Sequence, residues 1–339
     1  MDAAVDEPEE GSMSPSGRSH SMVLLSVSIA ALGGFWLGGC AHLEPAFPKG
    51  LTGENLLQLR SRSGRIADPA EEAFSERRAM HGYWKPGKFH INGGANVYFL
   101  EPYNPDRIPI LFIHGAAGSP RDWRYFFDNL DRDRYQAWFF YYPSGSSMDS
   151  TSKLLLTQLE ELRKRYGLQE LYITAHSMGG LLARSLLVRH GRHLSYVKLF
   201  ISISTPWGGD GFAEFGTRHS PVVIPSWKDL RPFGPFLKAL FDDRLPPSLD
   251  YYLFFGYRKG RGLLRPNSDG TVTLRSQLAP QAQAEATGVF GFDEDHVGIL
   301  SSQEVLARYK AVLDAADRRI AGPSSISQTV PSSSSPTIH

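Results

Sequence analysis

Leu171-Tyr172-Ile173-Thr174-Ala175-His176-Ser177-Met178-Gly179-Gly180 is the stretch whose reading decides the fold. Leu171 to Ala175 is a β-rich run, and the residues after Ser177 carry helical spacing to about His190, so Ser177 falls at a strand-to-helix junction. A sharp turn at that point strains the serine backbone and pushes its hydroxyl out of the sheet. The residues two before and two after it must then be small, and Ala175 and Gly179 meet that demand.

Outward from this junction, from Ala95 onward, short β-rich runs alternate with segments of helical spacing. That pattern predicts a mostly parallel sheet with helices on both faces. Strands are expected at Ile108 to Ile113, Tyr135 to Tyr141, Val197 to Ile203, Tyr251 to Tyr257 and Thr287 to Phe290. Helices are expected at Pro120 to Leu130 and Ser302 to Ala316. Another is expected where Leu155, Leu159, Leu162 and Tyr166 make one apolar stripe that Gly167 ends.

With 339 residues, 41% hydrophobic and 21% charged, the chain can bury one large core with tails, which excludes a disordered chain or a polytopic membrane protein. Thirty-six basic against 35 acidic residues leave a net charge of +1, without the footprint that phosphate backbones require, so nucleic acid is not an expected partner. The single cysteine, Cys40, excludes an intrachain disulfide and a thiolate zinc site. No metal-ligand spacing, dinucleotide glycine pattern or phosphate loop is present, and no cofactor is expected.

The ends differ from the middle. Met22 to Gly39 is one apolar run preceded by Arg18, the layout of a secretory signal. Its end, Leu37-Gly38-Gly39-Cys40, resembles the bacterial lipobox. The resemblance implies a signal region over 1–39, cleavage before Cys40, lipid attachment to its thiol, and an exported, membrane-tethered cell-envelope protein. An uncleaved single-span anchor is the other reading of the run, and Met13 is an alternative start. Residues 40–90 read as a tether and N-terminal embellishment, with short amphipathic pieces at Glu54 to Leu59 and Ala70 to Met80. Residues 321–339 are rich in Ser and Pro and read as a disordered tail.

Ala175-His176-Ser177-Met178-Gly179 in its strand–turn–helix context resembles the nucleophile turn of the α/β-hydrolase superfamily, serine lipase and esterase type, with alanine in the first small position. His114-Gly115-Ala116-Ala117-Gly118 resembles that superfamily's oxyanion loop. By resemblance the oxyanion donors are the N–H groups of Met178 and Ala116, with Ala117 as the neighbouring alternative. His114 reads as a brace for the loop. A serine hydroxyl needs a base, and the base an acid, in the chain order Ser, acid, His. Asn267-Ser268-Asp269-Gly270-Thr271-Val272 resembles the segment carrying the acid, which points to Asp269 over Asp242, Asp243, Asp293 and Asp295. His296, after the last expected strand, is the expected base, and His190, His193 and His219 read as surface histidines.

About residues 206–248 form an expected cap, rich in Phe, Pro and Gly, inside a hydrolase domain spanning 91–320. Its apolar content suggests an acyl chain as the sheltered substrate part, although the same side chains also serve to pack the cap on the core. The resemblance implies ester hydrolysis through an acyl-enzyme. The same triad also suits thioesters, amides or polymer esters, and a non-catalytic envelope protein that uses the fold for binding is the alternative from another class.

Overall fold

The computed structural model describes residues 63–91, 95–258 and 267–321. The signal-like run, Cys40, the piece at Glu54 to Leu59 and the tail beyond Ala321 lie outside the described residues.

Eight strands form one sheet in the order β1-β2-β4-β3-β5-β6-β7-β8. They are β1 Arg65–Ile66, β2 Asn96–Phe99, β3 Ile108–Ile113, β4 Tyr135–Tyr141, β5 Leu171–His176, β6 Val197–Ile203, β7 Asp250–Gly256 and β8 Gly288–Phe292. All neighbours pair in parallel except β2 and β4, which run antiparallel. The central strands are buried on both faces, which is why their sequences are continuously apolar rather than alternating.

Alternate residues feed two cores. Leu111, Ile113, Trp138 and Phe140 face the helices Met148–Tyr166 and Met178–His190, while Ile110, Phe112, Ala137 and Phe139 share the opposite layer with residues of Arg124–Asn129 and Gln303–Ala321. The expected alternation of strands and helices is thus present, with boundaries that move where distant residues intervene. The Met148–Tyr166 helix begins seven residues before Leu155 because Asp229, in the segment between β6 and β7, accepts the Met148 N–H at 2.8 Å.

The segment read as tether and embellishment needs correction from Ser63 onward. β1 pairs with β2, and Phe74 is fully buried with its ring edge-on to Tyr98, Phe139 and Tyr141 at 5.1 to 5.3 Å. This part of the chain completes the sheet and one core, so the folded domain starts before residue 91. Short strands and a single well-placed aromatic carry too little periodicity to be seen in sequence.

Between β6 and β7 the chain forms three short helices, Gly211–His219, Pro225–Asp229 and Pro235–Ala239, two of them opened by proline. Ile224, Leu230, Leu237 and Leu240 are buried, whereas Phe212, Phe215, Val222 and Phe233 are exposed. Arg184, fully buried in the Met178–His190 helix, anchors the end of this insertion. It donates to the carbonyls of Leu240 and Asp243, forks onto Glu285 at 2.7 and 3.1 Å, and lies over the Phe241 ring at 4.1 Å. At the other side Trp227 Nε1–H donates to the Tyr83 hydroxyl at 2.7 Å, tying the insertion to the N-terminal helix Glu76–Trp84.

Candidate active site

Ser177 stands between β5 and the Met178–His190 helix with φ +54° and ψ −130°, a conformation that an L-residue holds only at a cost of about 1–3 kcal/mol. Its N–H donates to the Ile203 carbonyl of β6 at 2.8 Å, which pins the turn. The glycines after it follow from crowding. A Cβ on Gly179 would come within 2.6 Å of the Ile113 and His114 carbonyl oxygens, and one on Gly180 within 2.0 Å of Thr205 Oγ1.

The Ser177 hydroxyl lies 3.0 Å from His296 Nε2, and His296 Nδ1 lies 2.7 Å from Asp269 Oδ2. Three residues separated by 119 and 27 positions therefore form one hydrogen-bonded chain. Asp269 is fully buried, and its other oxygen accepts from the Thr271 and Val272 N–H groups at 3.0 and 2.7 Å. Burial alone would raise its pKa. The charge and hydrogen bond of His296, with those two N–H groups, outweigh burial and hold the carboxyl below the usual range, so it is ionised where it meets the imidazole. The main chain closes the same loop, because the His296 N–H donates to the Asp269 carbonyl at 2.8 Å.

Two of the rival carboxylates are engaged elsewhere. Asp293 pairs with Arg258 at 3.2 Å, and Asp295 accepts from the N–H groups of Val297 and Gly298, shaping the turn that follows His296. His193 faces Glu160 at the surface, and His219 stacks on Phe215 in the insertion.

The loop after β3 comes against Ser177: a Cβ on Gly115 would meet Ser177 Cβ at 2.8 Å. The Ala117 N–H is spent on Ser144 Oγ at 2.8 Å, while the N–H groups of Ala116 and Met178 have no protein acceptor among the described residues. Sequence alone left Ala116 and Ala117 as alternatives, since nothing local shows that Ser144, 27 positions away, takes one of them. His114 stacks on Tyr142 at 4.3 Å, donates from Nδ1 to the Gly115 carbonyl at 2.9 Å and accepts the Tyr142 N–H at 3.3 Å on Nε2, so it braces the loop as a neutral ring.

Two groups near the site were not singled out from sequence. His176 is nearly buried and its Nε2 lies 2.8 Å from the His296 carbonyl oxygen. Asp210 caps the Gly211–His219 helix through the Phe212 N–H at 2.7 Å, and burial raises its pKa. Among the described residues, no group of three His, Cys, Asp or Glu side chains is placed to hold a metal ion.

Residues 108–229 match the family model described as alpha/beta hydrolase fold. The 1-acylglycerol-3-phosphate O-acyltransferase ABHD5 of Sus scrofa is 25% identical over 45% of this chain and 46% of its own length, so the chain spans about half the length of the curated relatives it matches. Among solved structures, the mature form of the Bacillus licheniformis lipase BlEst2 superposes with a TM-score of 0.50 at 22% identity, covering 64% of this chain and 97% of that one. The lin2722 gene product of Listeria innocua gives a TM-score of 0.47 at 18% identity, covering 62% and 94%. The fold is the α/β-hydrolase fold.

Two buried neutral imidazoles beside the site make stability depend on pH. The unfolded chain protonates each below about pH 6.5. In the folded chain burial pushes His114 down to about 4, and burial with the neighbouring His296 pushes His176 down to about 3. Their contribution is complete above pH 6.5 and is lost as pH falls toward those values. In a His114→Gln variant the fall in unfolding free energy between about pH 6 and 4.5 is expected to be shallower than in the wild type by about 1 kcal/mol per pH unit. Urea titrations across that range measure it, and equal slopes would mean that His114 titrates normally in the native state.

Proposed function

We propose that this protein is a serine hydrolase of carboxylic esters that works through an acyl-enzyme. The observation that carries the reading is the continuous Ser177–His296–Asp269 chain, with the Met178 and Ala116 N–H groups free of a protein acceptor among the described residues.

In this mechanism His296 Nε2 takes the Ser177 proton as Oγ attacks the ester carbonyl carbon. Asp269, ionised against His296 Nδ1, stabilises the imidazolium that forms. The carbonyl oxygen gains its negative charge next to the Met178 and Ala116 N–H groups, at the start of a helix whose dipole favours that charge. His296 then returns the proton to the leaving alcohol. Water attacks the acyl-enzyme by the same route, releasing the acid and free Ser177.

The insertion between β6 and β7, with its many Phe, Trp and Leu side chains, supports an apolar acyl group as the substrate part next to Ser177. Thioesters, amides and polymer esters fit the same triad, since the triad does not set the leaving group. Acyl transfer, which the curated relatives' name states of them, would differ only in having an alcohol take the place of water.

Hydrolysis of p-nitrophenyl esters from acetate to palmitate tests the reading. Wild-type protein is expected to turn over some of the series, and Ser177→Ala is expected to lose at least about a thousandfold in kcat. A folded wild type inactive on every ester favours a binding protein built on this fold, and a Ser177→Ala variant that keeps its rate overturns Ser177 as the nucleophile.

Cys40 is assigned as a lipid-attachment site that tethers the exported domain to the cell envelope, on the support of the apolar run Met22 to Gly39 and the Leu37-Gly38-Gly39-Cys40 pattern. Growth of bacteria expressing the full chain on an alkyne-bearing palmitate is expected to label the wild type and leave Cys40→Ser unlabelled and released from membranes. Equal labelling of both overturns the assignment.

A further inference from the structure

The residue immediately before the nucleophile has a role that the acyl-enzyme chemistry above does not use. His176 is the last residue of β5, 6% exposed, with its ring centroid 4.7 Å from that of His296 and edge-on to Trp123 at 6.4 Å. Its Nε2 stands 2.8 Å from the His296 carbonyl oxygen. A carbonyl oxygen only accepts, so Nε2 carries the proton and donates it.

We infer that His176 is a positioning residue for the base: by holding the His296 carbonyl through Nε2–H, it sets where the His296 imidazole stands relative to Ser177 Oγ. This rests on the reading of Ser177 and His296 as nucleophile and base.

Three observations carry it. First, the His296 peptide is gripped from both sides, its N–H by the Asp269 carbonyl at 2.8 Å and its C=O by His176 at 2.8 Å. Removing one grip frees rotation about the segment that delivers the imidazole. Second, His176 and Ser177 are consecutive, so the group that fixes the base loop and the group that the base must reach share one strand end. That strand end is itself pinned by the Ser177 N–H on Ile203. The distance of 3.0 Å between Ser177 Oγ and His296 Nε2 is thereby spanned by a short, rigid route instead of by two independent loops. Third, burial keeps His176 uncharged. A cation there would stand against the imidazolium that His296 becomes when it takes the serine proton.

The test compares His176→Leu, which fills the space without a donor, with His176→Gln, whose Nε2–H lies the same number of bonds from Cα and can reach the same carbonyl. Two readouts are taken on the full chain. In ester hydrolysis, His176→Leu is expected to lose about ten- to a hundredfold in kcat with KM changed less than about twofold, and His176→Gln to recover most of that loss. In proton NMR, the far-downfield resonance of the His296–Asp269 hydrogen bond, assigned by its loss in Asp269→Asn, is expected to shift or broaden in His176→Leu and to keep its wild-type position in His176→Gln. This second readout does not depend on turnover. A wild type that hydrolyses nothing would therefore sink the ester-hydrolase reading, while the resonance would still decide the role of His176. An unchanged kcat and an unchanged resonance in folded His176→Leu overturn the inference. Equal losses in both variants overturn it too, because they would make packing, and not the donated hydrogen bond, the contribution of this ring.

Discussion

The backbone of Ser177 is the constraint on which the surrounding structure depends. A non-glycine residue at φ +54° is held only where its neighbours leave no alternative. Here the strand β5 arrives between β3 and β6, the serine N–H is captured by Ile203, and the helix leaves at once over carbonyls that tolerate no side chain at Gly179. The turn leaves the hydroxyl 3.0 Å from His296 Nε2 and starts the next helix at Met178. The proposed nucleophile, one proposed oxyanion donor and a helix start follow from a single turn.

The rest of the site is delivered by loops at the same ends of the strands, and they are tied to one another through main-chain groups as well as side chains. Asp269 meets His296 with its carboxylate and its carbonyl, His176 meets the carbonyl of His296, and His114 fixes the loop that approaches Ser177. These shared main-chain and side-chain bonds restrict how the Asp269, His296 and His114 loops can turn relative to one another. The two imidazoles that do the bracing are kept neutral by burial, so they add no positive charge beside His296.

Much of the fold was legible because its strands are buried on both faces and therefore read as apolar runs. Ile108–Ile113, Tyr135–Tyr141 and Val197–Ile203 are found where the sequence places them. Ser177, Asp269 and His296, chosen for their local contexts, come together in space. What was hidden depended on distant partners. β1 and β2 are short, and β2 begins with the buried Asn96, whose side-chain oxygen accepts from Ser63. The start of the Met148–Tyr166 helix rests on a carboxylate 81 positions away, and the choice between Ala116 and Ala117 rests on Ser144. His176 carried no signal of its own, since a histidine before a serine says nothing of the carbonyl 120 positions on that it holds.

If the Ser177–His296–Asp269 chain works as proposed, Ser177 is the hydroxyl that reacts with an electrophile. Reaction of the folded protein with an alkyl fluorophosphonate, followed by peptide mass mapping, tests that most directly. The prediction is a single phosphonyl adduct on Ser177 that no longer forms when His296 is replaced by alanine. An adduct on another residue, or a folded protein that takes up no phosphonate, would contradict it.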